Sequence, residues 1–592
     1  MNSISQNTIH DTFAAYFKNA VLQNAAYWVS KKLEEGHICL DLEDELFSEN
    51  NNIDKEKLLS LDLVTTDPQK NIQPFVLFNN KLYLQRYFYY ETGIIDKIKT
   101  LLSGNTGKKY QNELLKKKQF IENIFKDNIN EDQRISWQLI ASLSAIINDF
   151  VIITGGPGTG KTTTITKFLA LLFSIDPGIS VSIAAPTGKA AARMNESLAN
   201  VAEKESNIPE DIRNKINKIS AGTIHRLLGV NYHNNSFVHN SENRLKQDVI
   251  IIDEASMIDV ALMAKLFDAI RDDAKLILLG DKNQLASVEA GSIFGDLCNI
   301  PDKSNIINTA DVDFYNNFII DEKQKLPYPE SNTENLLAGK IIELQHSYRF
   351  DLKYDIGKFS SLVIAGITGE NQLLYPYEKC GNKVQCVKIS EDYNDPVFND
   401  YLKYYEEYAS EEDIEKAFEK LKKSMILCVV REGTYGFKTY NRLVEKHLES
   451  KGLINSDGIF YHKQPVMITS NDYNLGVFNG DIGIIRKDDD TEQMYIYFQD
   501  DKEGIRKFPV VNITSFDTVY AMTIHKSQGS EYDNVVVVLP GDENIHILSR
   551  ELIYTAVTRA RKNVLILSKK EVLIQAVKRK INRISGIKER IV

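Results

Sequence analysis

The stretch VIITGGPGTGKTTTITKF, Val151 to Phe168, runs from a β-branched segment through a glycine-rich turn into a segment with helical patterning. Its turn, Gly155-Gly156-Pro157-Gly158-Thr159-Gly160-Lys161-Thr162, fits G-x-x-x-x-G-K-[ST] without a gap. Glycines let backbone N–H groups turn inward, and the helix starting near Lys161 adds the positive end of its dipole. Such a loop cradles the phosphates of a nucleoside triphosphate. Lys161 is expected on the β- and γ-phosphates and the Thr162 hydroxyl on Mg²⁺. The loop says that a nucleotide is held, not what its energy does.

A magnesium site needs a second protein group at the end of a neighbouring strand, and DVIIIDEAS supplies one. Its apolar run ends at Asp253, expected to hold Mg²⁺ through water, followed by Glu254, placed to polarise the attacking water. Further on, LGDKNQLASVEAG puts Gln284 just past another buried strand, where it could sense the γ-phosphate. LQHSYRF carries Arg349, and IYTAVTRARKNVLIL carries Arg559 and Arg561. Arginines reaching the nucleotide from a distant part of the chain would stabilise charge in the transition state. A surface ion pair is the plain alternative for any one of them; the ordered set argues against it.

At 592 residues the chain exceeds what one core can hold, so three or four domains are expected. No stretch approaches ~18 uninterrupted apolar residues, so no membrane span is expected. The start, MNSISQNTIHDTFAAYFKNA, lacks a basic segment followed by an apolar run, so it does not read as a secretory signal. Cys39, Cys298, Cys380, Cys386 and Cys428 form no C-x-x-C pair, and reduced thiols in a cytoplasmic protein are the expectation. A net charge of −10 argues at first against a nucleic-acid partner, but binding depends on local potential. The acidic runs EEYASEEDIEKAFEK and DLEDELFSEN and the basic KRKINRISGIKER read as solvated helix faces.

Along the chain, residues 1–108 carry no catalytic pattern and read as an N-terminal, partner-binding domain. Within them KLYLQRYFYYE reads as a half-buried strand running into a helix, and SGNTGKKYQ as a linker. In residues 109–335, strand-like FVIITG, SVSIAAPT, DVIIID and KLILLGD alternate with helical segments, the pattern of a parallel sheet covered by helices. Residues 336–592 repeat it with MILCVV, VYAMTIH, NVVVVLP and NVLILS, interrupted by a β insertion at about 455–512. There Asn479-Gly480 between apolar runs signals a tight turn.

The full ordered set, from GGPGTGKTTTITK, APTGKAAARM and TIHRLLG through IIDEASMID, LLGDKNQLASVEAGSIFGDL and LQHSYRF, continues with TYGFKTYN, PVMITSNDYNLGVFNGDIGI, AMTIHKSQGSEYDNVVVVLP and LIYTAVTRARKNVLIL. It resembles the superfamily-one helicases, and within them the RecD family, 5′→3′ DNA motors of RecBCD-type helicase–nucleases (exodeoxyribonuclease V). The resemblance covers Trp137 to Leu567. It implies an α/β fold with two RecA-like motor domains, ATP and Mg²⁺ as cofactors, and single- and double-stranded DNA with RecB- and RecC-type subunits as partners. Carried over residue by residue, it implies that Gln138 reads the adenine and that Gly155 to Thr163, including Pro157, Thr159 and Thr163, surround the phosphates. Thr187, Thr223, His225, Thr523, His525 and Ser527 would lie near the DNA backbone, and Gln528, Gly529 and Glu531 nearer the nucleotide. VNYHNNSFVHNSENRLK, Val230 to Lys246, resembles the hairpin, placed at 229–245, that separates strands in relatives, turning at Asn234-Asn235-Ser236; a plain surface loop is the alternative. A free-standing RecD-like helicase, an RNA helicase and a nucleotide-gated scaffold are the competing readings. No carboxylate–lysine nuclease constellation stands outside the motor motifs, so cleavage is expected in a partner subunit.

Overall fold

The computed structural model describes every residue except 1–7, 45–52, 105, 127–134, 232–235, 301–303, 330–335, 351–354, 370–372, 374–382, 389–395, 473–474, 489–490, 501–503, 543–544, 546 and 592. Cys380 and the Asn234-Asn235 part of the expected hairpin turn therefore lie outside the described residues. Among the described residues no helix is long and apolar enough to cross a membrane.

The apolar run before the phosphate loop becomes strand Phe150–Gly155, buried along its whole length. It lies inside a six-stranded parallel sheet, in the order Ile341–Leu344, Phe150–Gly155, Lys275–Gly280, Val249–Ile252, Val181–Ala185, Gly222–Thr223. Helices cover both faces, which is why the central strands read as continuous apolar runs instead of alternating ones. Helices Trp137–Ile147 and Lys161–Ile175 fill one side, and Val260–Ala269 fills the other.

Three expected boundaries shift. Ile341–Leu344 lies past 335 yet joins the first sheet, because its backbone pairs with Phe150–Gly155 from Ile341↔Ile152 onward. Ser103–Gln111 is no open linker: Thr106–Tyr110 forms a tight helical turn with Gly107 and Tyr110 buried. The Asp149 carboxylate accepts from the Thr106 amide at 3.1 Å, and Tyr110 donates to Asp176 at 2.9 Å. At the other end, Ile587–Ile591 leaves the second motor domain and packs its apolar side into the first domain's core.

The second parallel sheet runs Val384–Val387, Ala560–Leu567, Tyr532–Val538, Ser424–Cys428, Ala521–Thr523. Its insertion is an antiparallel sheet with its own small core, closed by Phe516–Thr518, a few residues past 512. Asn479 and Gly480 do form a tight turn, with the Asp481 amide donating to the Phe478 carbonyl at 2.9 Å and Gly480 at φ 96°. The N-terminal residues build a four-stranded sheet on a separate core. Helix Gln85–Ser103 then ties it to the first motor domain, burying Ile94, Ile98 and Leu101 in that domain's core.

Candidate active site

Phosphate loop, Thr187, Thr223, Asp253, Gln284 and Arg349 all follow or end strands of the first sheet, so parallel topology gathers them at its carboxyl edge. Ligands of open α/β sheets bind at such edges. A cleft of about 430 Å³ opens there, lined by Gln138, Pro157 to Thr163, Asp253, Glu254, Gln284 and Arg349 from one side. Gly529, Glu531 and Arg559 line it from the second motor domain.

Gly158 and Gly160 hold φ of 77° and 83°, the left-handed region that glycine enters without steric cost. Neither site has room for a β-carbon, because Arg349 crowds Gly158 and the Gln138 amide crowds Gly160. Gln138 Nε2 donates to the Thr159 carbonyl at 3.1 Å. From the turn after Ile341–Leu344, the Tyr348 amide donates to Gly158 O at 2.8 Å and Ser347 Oγ to Pro157 O at 3.1 Å. Gly155 and Gly156 stand behind the cleft wall; Lys161 Nζ donates to Gly155 O at 2.6 Å. Thr159 Oγ1 donates to Gly156 O at 2.8 Å.

Asp253 and Glu254 sit side by side, with the Glu254 amide donating to Asp253 Oδ1 at 2.9 Å. Burial, and then the Glu254 carboxylate beside it, push Asp253 up to about 6. Glu254 takes φ 51°, a costly conformation for a residue with a side chain, of the kind concentrated at functional sites. Gln284 Nε2 donates to Asp281 Oδ2 at 3.2 Å, and that oxygen also accepts from Tyr554 of the second domain at 3.0 Å. Gln284 Oε1 is buried and has no partner among the described residues.

Arginines from both motor domains crowd the cleft. Burial, then the charges of Arg193, Arg561 and Arg559, bring Arg349 down to about 9. Arg559 is 2% exposed and donates to Thr555 O at 3.1 Å and Ser530 O at 3.3 Å. Arg561 lies outside this cleft and pairs with Glu531 at 3.0 Å. Clustered cations across from clustered carboxylates, with glycine amides between, form a donor set that suits a polyphosphate carrying a divalent cation.

A second cavity, about 740 Å³, continues from the cleft and shares Arg193, Gly529 and Glu531 with it. Seven lysines and arginines, Lys189, Arg226, Lys422 and Arg506 among them, line it alongside five carboxylates, a small basic excess. Of the six residues expected near DNA, Thr223 lines this cavity. Thr187 and Thr223 cap helices, accepting from the Ala190 and Arg226 amides at 3.2 Å each. Thr523 accepts from the Lys526 amide at 3.4 Å. His525 is half-buried while His225 stands exposed, and desolvation of the ring lowers both below the usual histidine range. Ser527 departs from its expected place: it is fully buried, and its hydroxyl donates to Ile524 O at 2.7 Å, shaping a turn instead of facing a groove. Gln528 likewise stands behind the cleft, donating to Leu285 O at 3.1 Å.

Lys189 and Arg193, both in APTGKAAARM, join the site beyond the residues expected there. Their i, i+4 spacing puts both on one helix face, a signal readable in advance. Lys189 Nζ is buried without a partner among the described residues, and burial brings it down to about 8. Val230–Asn231 pairs antiparallel with Ser236–Phe237, so the arms of the expected hairpin form.

Residues 138–290 match the family described as an AAA domain, 518–567 the UvrD-like helicase C-terminal domain, and 440–498 the ATP-dependent RecD-like DNA helicase SH3 domain. The RecBCD enzyme subunit RecD of Haemophilus influenzae is 32% identical over 88% of this chain and 82% of its own length. Its counterpart in Buchnera aphidicola subsp. Acyrthosiphon pisum is 30% identical over 96% and 95%. The ATP-dependent RecD2 DNA helicase of Deinococcus radiodurans is 27% identical over 69% of this chain and 46% of its own. The chain belongs to the RecD family of DNA helicases.

Proposed function

We propose that this ATP-dependent DNA helicase moves 5′→3′ along one strand as the RecD-type motor of a RecBCD-type helicase–nuclease, in repair and recombination at double-strand breaks. The observation that carries the reading is the meeting of two motor domains on one cleft that opens into a cavity with a small basic excess. Gln138 would take the adenine, and the loop from Gly155 to Thr163 the phosphates, with Lys161 as point charge. Thr162 and Asp253 would hold Mg²⁺. Bound MgATP supplies a phosphoryl group whose transfer to water drives closure and reopening of the domains.

Glu254 would accept the proton of the attacking water, and Gln284 would report the γ-phosphate to Asp281 and Tyr554. Arg349 and Arg559 would stabilise the charge that builds in the transition state. Gly529 and Glu531 would close the cleft from the second domain, with Gln528 tying Leu285 to it. Thr187, Thr223, His225, Thr523 and His525 would track the strand's phosphates. Similarity to RecD over nearly the whole of the Buchnera protein favours a complex with RecB- and RecC-type subunits, the nuclease centre lying in a partner. The free-standing alternative is the RecD2-like reading.

Duplexes with a single 5′ or 3′ tail test polarity, and co-purification with two large subunits tests the complex. Unwinding from the 5′ tail is expected; preferential unwinding from the 3′ tail would overturn the polarity.

A further inference from the structure

After helix Lys570–Lys578 the chain crosses back to the first motor domain, and Arg583 meets the loop that follows Gln284. Arg583 Nη1 donates to Gly291 O at 2.7 Å and Glu289 O at 3.1 Å, and Nη2 donates to Ser287 O at 2.7 Å. One guanidinium thus gathers three carbonyls of a single loop. A planar fork with fixed donor directions does this in a way a lysine cannot.

The N-terminal domain enters the same junction. Gly36 O accepts from the Gly291 amide at 2.9 Å, and the Ile38 amide donates to Ile584 O at 3.0 Å. The Ile584 amide donates to His37 Nδ1 at 3.0 Å, and burial keeps His37 at about 4, hence neutral and able to accept. Gly36 has φ 91°, and a β-carbon there would stand 2.8 Å from Arg583 Nε. Beyond it, Ser585 donates to Asp296 at 2.8 Å and the Gly586 amide to Glu91 at 2.8 Å.

The loop's other end belongs to the second motor domain. The Leu285 amide donates to Thr555 Oγ1 at 3.0 Å, and Gln528 holds the Leu285 carbonyl. Gln284, on the cleft wall, therefore heads a loop gripped at one end by the moving domain and at the other by Arg583 and Gly36.

We infer that Arg583 is a positioning residue that couples the N-terminal domain to the Gln284 loop, so that whatever displaces that domain alters how DNA stimulates ATP turnover. The inference rests on the ATP-driven motor reading. Arg583 touches neither cleft wall; it acts through the loop it braces.

The test uses the full chain with Arg583→Ala and Arg583→Lys, ATP, and an oligothymidylate as single strand. Arg583→Ala should keep basal hydrolysis within about twofold and KM for ATP unchanged, while the oligothymidylate-stimulated kcat falls about tenfold. Arg583→Lys, which keeps the charge but loses the fork, should fall about threefold. Hydrogen exchange at the Ile38 and Gly291 amides should shift when a non-hydrolysable ATP analogue binds the wild type, and the shift should vanish in Arg583→Ala. A stimulated kcat within twofold of wild type, or equal falls in basal and stimulated rates, overturns the inference. So does an absent exchange shift in the wild type. If Arg583→Ala does not fold, Arg583→Lys carries the test, and wild-type behaviour there overturns it. A wild type lacking any DNA-stimulated hydrolysis would instead sink the motor reading itself.

Discussion

Arg349 Nη2 lies 2.7 Å from Glu531 Oε1, an oxygen that Arg193 also reaches, while Arg561 holds Oε2 at 3.0 Å. One nearly buried carboxylate of the second motor domain thus binds two arginines that follow strands of the first. Arg349 can serve either as a tie between the domains or as a charge partner for the nucleotide, and the two roles separate by mutation. As a finger, Arg349→Ala should lower kcat by about a thousandfold with nucleotide affinity nearly kept. Glu531→Gln, which weakens its ion pairs with Arg349, Arg193 and Arg561 but keeps Arg349 itself, should cost about tenfold, and the double variant should be no slower than Arg349→Ala. Steady-state hydrolysis on single-stranded DNA, with nucleotide binding measured separately, decides. Equal losses in the two single variants would make Arg349 a tie only.

Lys161 is half-buried and donates to loop carbonyls, and its charge also offsets the buried Asp253 and Asp281 carboxylates. Lys161→Ala should cost about 1–2 kcal/mol of stability and leave the chain folded. DNA-stimulated hydrolysis should nonetheless fall by about a hundredfold or more, since the transferring group loses its charge partner. A melting curve and a turnover assay on the same preparation test both halves. Near-normal turnover would remove the phosphate-loop assignment.

Glu254 and Asp253 are adjacent, but the proposed roles differ, and substitution can tell them apart. Glu254→Gln preserves shape and the φ of 51° while removing the proton acceptor. Binding of MgATP should survive because Thr162 and Asp253 remain, while single-turnover hydrolysis should drop about a hundredfold or more. Loss of nucleotide binding in this variant would contradict the division of labour.

The cleft was legible from sequence because each of its parts is local: a strand, then a fixed short turn bearing one or two functional side chains. Parallel topology then brings every such turn to the same edge, so Lys161, Asp253, Gln284 and Arg349 meet without any long-range information beyond strand order. Legibility fails where placement depends on a tertiary partner. Ser527 follows the half-buried His525 and Lys526, yet the turn it closes draws its hydroxyl fully inward. Ile341–Leu344 follows a proline-rich break, which reads as a domain boundary, but strand pairing outranks the break. Arg583 lies in a basic run that looks like a solvated face, and its three acceptors are backbone carbonyls about three hundred residues away, which composition does not mark.

The hairpin of Val230–Asn231 and Ser236–Phe237 is well rooted. The Val238 amide donates to Gly229 O at 2.7 Å and the His239 amide to Leu228 O at 2.9 Å. The Phe237 ring packs 5.7 Å from the His225 ring, and Lys265 Nζ stands 5.2 Å from the Phe237 ring centre. Such a base can hold a short obstacle against a duplex while the motor draws one strand through. Replacing residues 231–236 by a short glycine-containing turn, with Phe237 kept, would remove the obstacle and spare its footing. Surface loops tolerate such shortening, with about 1 kcal/mol at stake. Hydrolysis stimulated by single-stranded DNA and translocation along it should survive, while duplex unwinding drops about tenfold or more, because only the mechanical block is gone. Both assays belong on the same variant, without a second motor that could mask the loss. Parallel falls in hydrolysis and unwinding would place the hairpin in the fold or the strand path, and unchanged unwinding would leave it a plain surface loop.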